Sequence, residues 1–104
     1  MGTMTPKDLG LWLEENMRTI HPHISLQARS QVEVFVKVGE YDLAFDTILF
    51  SMQDSRGIPE NFIPKFIQII NERELLKRAE HPEIEARYNL VIEGFRGGIP
   101  GKSN

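Results

Sequence analysis

Residues 35–49 read FVKVGEYDLAFDTIL, and the fold class turns on this stretch. A glycine directly behind an apolar periodic segment is the usual left-handed cap of a helix, so Gly39 closes one helix. Glu40 and Asp42 follow at once, where carboxylates suit the positive end of the next helix. The run Val32–Val38 is rich in β-branched residues and partly alternating, which also suits a strand. The polar stretch Ser25–Gln31 before it has no strand character, so helix is the better reading. Two helices therefore meet at a hard corner at Gly39.

Working outward, the second of these helices is expected from about Glu40 to Gln53. Leu43, Ala44, Ile48, Leu49 and Met52 mark its buried face, with Phe45 or Tyr41 at the margin. The first starts behind Ser25, a capping residue, and Leu26, Val32, Phe35, Val36 and Val38 supply its apolar side. Upstream, Thr5-Pro6-Lys7-Asp8 carries a cap, a proline for the first helical position and an acidic first turn. Leu9, Trp12, Leu13, Met17 and Ile20 then form one stripe, which Pro22 stops.

Downstream, Asp54-Ser55-Arg56-Gly57 reads as a turn. A strongly apolar helix follows from Pro59 through Phe62, Ile63, Phe66, Ile67, Ile69 and Ile70. Pro64 inside it removes a backbone donor, so a kink or a later true start is expected there. Asn71–Glu80 is charged and reads as an extension or a short separate turn. His81-Pro82-Glu83 opens a last helix with Ile84, Tyr88, Val91, Ile92 and Phe95 as its stripe. The expectation is an all-α fold, a compact bundle of about five helices over residues 1–96, with 97–104 a flexible tail.

Length and composition fit one soluble domain. A chain of 104 residues buries roughly 65% of its unfolded surface, enough for one core. Hydrophobic residues make up 40% and charged residues 26%, ordinary values for a globular protein. The absence of cysteine excludes disulfides and thiolate chemistry. No apolar run reaches the roughly 18 residues of a membrane span, and no secretory signal is visible at the start. A chain without cysteine fits a reducing cytoplasm, and it fits other compartments too. The net charge of −3 argues against nucleic-acid binding. It suits a basic protein partner.

The chain offers little for catalysis. His21, His23 and His81 would have to converge to bind a metal, and loop or capping roles explain them. Glu14-Glu15, Glu72/Glu74 and Glu83/Glu85 belong on solvated helix faces, with Arg18 and Arg87 placed as partners four residues from Glu14 and Glu83. Arg73, Lys77 and Arg78 are interleaved with acids and read as a mixed solvated face. No enzyme activity, cofactor or metal is expected. The acidic residues of the opening stretch are more informative. Glu40, Asp42 and Asp46 cluster with few cations near them in sequence, and Tyr41 lies beside them. With Asp54 they form the expected partner-binding set, pointing away from the core.

The segments GEYDLAFDTILFSM and GIPENFIPKFIQII, behind an amphipathic helix, resemble the small bacterial immunity proteins of the MafI type. Gly39, Glu40, Tyr41, Leu43, Ala44, Leu49, Ile58 and Pro59 carry the likeness, which covers about residues 26–70. The resemblance implies a cytoplasmic antidote that binds the cognate C-terminal toxin domain of a polymorphic or contact-dependent growth inhibition system. Such a toxin domain is often a nuclease, basic because it holds phosphates, and an acidic helix face would complement it. GEYDLAFDTIL is also similar to the first half of a tetratricopeptide helical hairpin, which implies a non-catalytic adaptor or chaperone instead.

Overall fold

The structure is a computed structural model, and it describes residues 3–97. The helix starts expected at Thr5 and Ser25 have their local cause in place. Thr5 and Asp8 form a reciprocal capping box, with Asp8 N–H donating to Thr5 Oγ1 (3.1 Å) and Thr5 N–H donating to Asp8 Oδ2 (3.0 Å). This begins α1, Pro6–Ile20. A single 3₁₀ turn, His21–His23, separates it from α2, Leu26–Lys37, which Ser25 caps through Ala28 N–H. Gly39 then adopts φ +79°. Its N–H donates to Val36 O (3.1 Å) and Glu40 N–H donates to Phe35 O (2.8 Å), the paired bonds that close a helix on a left-handed residue. The hard corner is this cap, and α3, Tyr41–Asp54, leaves from it.

The proline in the apolar helix resolves as a late start. Glu60–Phe62 form a 3₁₀ turn, and α4 runs Ile63–Glu72 with Pro64 in its first turn, where no backbone donor is needed. The charged stretch behind it is a separate short helix, α5, Leu75–Arg78, reached through Glu74 at φ 55°. Finally α6 spans Pro82–Ile92. The fold is an all-α bundle of six helices among the described residues, five of them with ten residues or more. Its radius of gyration, 12.9 Å, equals the roughly 13 Å expected of a compact domain this size.

The core forms where α1, α3 and α4 meet. Phe66 of α4 is fully buried and touches Phe45 edge-on (5.2 Å between centroids), Phe62 in a stack (5.6 Å) and Trp12 edge-on (6.3 Å). This hub corrects the expected orientation of α3. Phe45, expected at the margin, is fully buried against Phe66, while Leu43, expected inside, is 46% exposed. Successive helical residues differ by about 100°, so a helix that turns Ala44, Phe45, Ile48, Leu49 and Met52 inward must turn Leu43 outward. On the peripheral α2, Leu26 and the capping Val38 just past its end are exposed, and only Ala28 and Val32 are buried. Phe95 falls beyond the end of α6 and is exposed. Gly97 lies over Gly57, and Arg96 Nε donates to Ile58 O (3.1 Å), so packing persists through the end of the described chain. The rest of the expected tail, 98–104, lies outside the described residues.

One close approach places α3 against α1. A methyl built on Gly10 would stand 2.6 Å from Cζ of Tyr41, so the Tyr41 ring lies flat on the α1 backbone. Gly10→Ala is expected to destabilise the protein by about 1–3 kcal/mol, because it overpacks this contact. In a Tyr41→Ala background the same substitution should stabilise by about 0.5–1 kcal/mol, since only the helix preference for alanine remains. Urea unfolding of the four proteins reads this change of sign. Equal effects in both backgrounds would show that the ring does not rest on Gly10.

Candidate functional site

The acidic residues of α3 do not form one uncompensated face: Asp42 and Asp46 are partly buried, which corrects the expectation that they point away from the core, while Asp54 is exposed as expected. Asp42 accepts two bonds from Arg73, Nε to Oδ1 and Nη2 to Oδ2, both 2.9 Å. A third comes from Arg78 Nη1 to Oδ2 (2.9 Å). Arg73 also donates from Nη1 to Met4 O (3.1 Å), which ties the chain start to α3 and to the end of α4. The hydrogen bonds to Asp42 hold the Arg73 guanidinium above its usual pKa. Arg73 is buried and so leaves the mixed solvated face expected of it, while Lys77 and Arg78 are exposed as expected.

Asp54 is answered in a similar way at the other end of α3. Arg87 of α6 reaches it from Nη2 (3.1 Å) and donates from Nη1 to Gln53 Oε1 (3.2 Å), while Gln53 Nε2 donates to Arg87 O (3.0 Å). The Arg87 guanidinium also lies over the Phe50 ring, 4.8 Å from its centroid. The helical pair expected between Glu83 and Arg87 does not form, because Arg87 faces inward to these groups. Tyr41 rests on Gly10, as described, and Glu40 is exposed at the corner without a side-chain cap bond.

Asp46 differs from its neighbours. Among the described residues it accepts one hydrogen bond, from the neutral hydroxyl of Tyr88 on α6 (2.6 Å), and it meets no cation within ion-pair distance. Burial raises its carboxyl to about 6, helped by the nearby Asp42 charge and opposed by the Tyr88 bond. Burial and the Asp46 charge likewise push the Tyr88 hydroxyl above its usual range. A carboxyl raised in the folded state contributes stability that is complete below its unfolded pKa, near 3.8, and is lost as pH rises through about 6. At neutral pH, then, the ionised Asp46 works against the fold.

The surface above these groups is a trough. Val34 and Phe35 of α2, Leu43, Thr47 and Phe50 of α3, and Ile84 of α6 line about 540 Å³ of mainly apolar space, with Asp46 at its edge. It continues toward the end of α3 as a more polar stretch between Gln27, Gln31, Ser51 and Asp54. At the other end a cavity of about 290 Å³ opens beside Asp42, Asp46, Ala79 and Tyr88. Of the five residues singled out from sequence, Asp46 and Asp54 line the trough. Asp42 lines the cavity while clamped by its arginines, and Glu40 and Tyr41 line neither.

Val34, Phe50 and Ile84 belong to this surface and were not singled out as binding residues. A signal for Val34 exists in the sequence. Positions 32, 34, 35 and 36 of α2 and its cap at 38 are all apolar, more than one buried stripe can hold, so part of that helix has to stay uncovered. The three histidines are not drawn together, and no group of three or more metal-capable side chains converges among the described residues. No helix of the described residues is long and apolar enough to cross a membrane. No protein family, curated protein or solved structure was found to match the chain.

Proposed function

We propose that this protein acts by binding another protein, as a cytoplasmic immunity protein that captures the basic toxin domain of a polymorphic or contact-dependent system. The observation that carries the reading is the trough over α3. Val34 is 60% exposed and Leu43 46% exposed, side by side on adjoining helices, and an apolar floor of this kind with a polar rim suits a protein interface. The Asp46 carboxylate, which has no cation partner among the described residues, and a net charge of −3 complement a phosphate-binding enzyme and speed encounter with it. The likeness of residues 26–70 to immunity proteins of the MafI type supports the same reading. Inhibition by occupation of a partner's surface requires no chemistry from this chain.

The test is protection. Cells expressing the toxin domain encoded beside this gene should survive only when this protein is co-expressed. The double variant Val34→Arg/Leu43→Arg should keep the wild-type melting temperature, since both side chains are already exposed. It should bind the toxin domain at least 100-fold more weakly and lose protection. Wild-type binding by that variant would remove the trough from the reading, and an absence of protection by the wild-type protein would remove the immunity role. A non-catalytic adaptor built on the α2–α3 hairpin is the second reading. The tight corner at Gly39 favours it, and it predicts capture of a partner with no effect on toxicity.

A further inference from the structure

The cavity at the end of the trough has a composition that selects its occupant. Its walls are aliphatic, formed by Leu43 of α3, Leu75 and Ala79 at the two ends of α5, and Ile84 of α6. Its polar groups are the carboxylates of Asp42, Asp46 and Glu80, the guanidinium of Arg78 and the hydroxyl of Tyr88. Arg78 is already bonded to Asp42 at 2.9 Å, and Asp42 is bonded to Arg73 as well. Glu80 is exposed to solvent, so Asp46 is the half-buried carboxylate at the cavity that is held only by a neutral donor. On its other side, toward α2, the trough presents Ser30, Gln31, Val34 and Phe35, none of which is charged.

We propose that this cavity is the anchor pocket for a lysine of the partner protein, with Asp46 as the counter-ion of its ammonium group. The proposal rests on the reading that a protein docks in the trough. It adds which side chain the docking surface selects and where that side chain goes. The aliphatic walls suit the four-carbon stem, which buries along apolar surface while the charged end finds a polar group. Tyr88 occupies Oδ1 of Asp46, so both oxygens are not equally free for a guanidinium fork, and a compact ammonium is the better match. A hard divalent cation fits less well, because it demands six or more oxygen ligands. Keeping an ionised carboxylate half-buried without a cation disfavours the free protein, and an incoming ammonium removes that disadvantage.

Proton linkage follows. The ammonium binds the ionised carboxylate, so affinity is complete above about pH 6 and is lost as pH falls through that value. Between pH 7.5 and pH 5 the ionised fraction of such a group drops about tenfold. Asp42, Arg73, Arg78, Glu80 and Tyr88 are the titratable groups that face or buttress the site, and the first three are bound to one another.

The pocket can be probed without any partner. Chemical shifts of the ¹⁵N-labelled full chain would be followed during titration with n-butylammonium, the side chain of lysine, at constant ionic strength. Neutral n-butanol serves as the control of equal size. The expected result is saturable movement of the amides of Asp46, Ala79 and Tyr88 with the ammonium, at least tenfold weaker binding of n-butanol, and about tenfold weaker ammonium binding at pH 5. Asp46→Asn, which keeps an acceptor for the Tyr88 hydroxyl, should reduce binding at least tenfold. Ala79→Leu, which fills the cavity and leaves the carboxylate in place, should do the same. Equal binding of the alcohol, unaltered binding by either folded variant, or binding indifferent to pH would overturn the proposal. Those outcomes leave the protection assay standing, and a failed protection assay leaves this titration standing, so the two readings fail separately.

Discussion

Asp42→Ala is expected to lower the unfolding free energy by about 3 kcal/mol. The reason is what it leaves behind. The Arg73 side chain is only 10% exposed, and without Asp42 its sole remaining acceptor among the described residues is Met4 O. Removing one partner of a buried ion pair strands the other charge in a poorly solvated place, which costs about 3–5 kcal/mol when the pair is fully buried. Asp42 itself is 27% exposed, which puts the expectation at the lower end. Three companions separate this cause from others. Asp42→Ala/Arg73→Met should recover more than half of the loss, since replacing both charges by apolar groups is often close to neutral. Arg78→Ala should cost less than about 1 kcal/mol, because that guanidinium is 56% exposed. Asp42→Lys should be worse than alanine, since it sets a third cation beside Arg73 and Arg78. Equilibrium denaturation in urea measures all four. If Asp42→Ala and Arg78→Ala cost the same, the buried pair is not what holds the end of α4 to α3.

Phe66→Ala is expected to cost about 3–5 kcal/mol, the range for emptying an aromatic site in a packed core. A domain of about 100 residues has roughly 5–15 kcal/mol in total. The variant should therefore melt roughly 12–40 °C lower, at about 4–8 °C per kcal/mol. The position matters because Phe66 touches rings from three separate places, Trp12 of α1, Phe45 of α3 and Phe62 of the 3₁₀ turn before α4. Its loss should loosen all three. Phe66→Leu, which fills most of the volume, should cost less than about 1.5 kcal/mol. Calorimetric melting of both variants checks this, and an alanine variant within 1 kcal/mol of wild type would place the hub elsewhere.

These two residues also show how differently sequence and structure inform. Phe66 was recognisable as core, because it stands in the most apolar segment of the chain, at helical spacing from Phe62, Ile63, Ile69 and Ile70. Asp42 was not recognisable as a structural residue. Its position in the first turn of α3 explains an acid there, through the helix dipole, and that local explanation is sufficient by itself. Its two arginines stand 31 and 36 positions further along. Nothing periodic links them to Asp42, so the pairing follows only from the packing of α4 and α5 beside α3. Arg87 repeats the lesson. It has Glu83 four residues before it, and it turns instead to Asp54 and Gln53, 33 and 34 residues away.

Local order was therefore legible and long-range order was not. The cap at Ser25, the capping box at Thr5, the left-handed Gly39 and the late start at Pro64 depend on hydrogen bonds between residues within five positions of one another. Their chemistry is complete in a short segment, and the all-α class follows from it. Which side of a helix carries function depends on what covers it. Leu43 and Phe45 are two residues apart and both apolar, and only the position of Phe66 decides that one is buried and the other lines a trough. Likewise, Asp42, Asp46 and Asp54 were equivalent acids on one predicted helix. Tertiary packing gave arginines to the first and last and a tyrosine to the middle one, so of these three only Asp46 was left without a cation, beside a cavity.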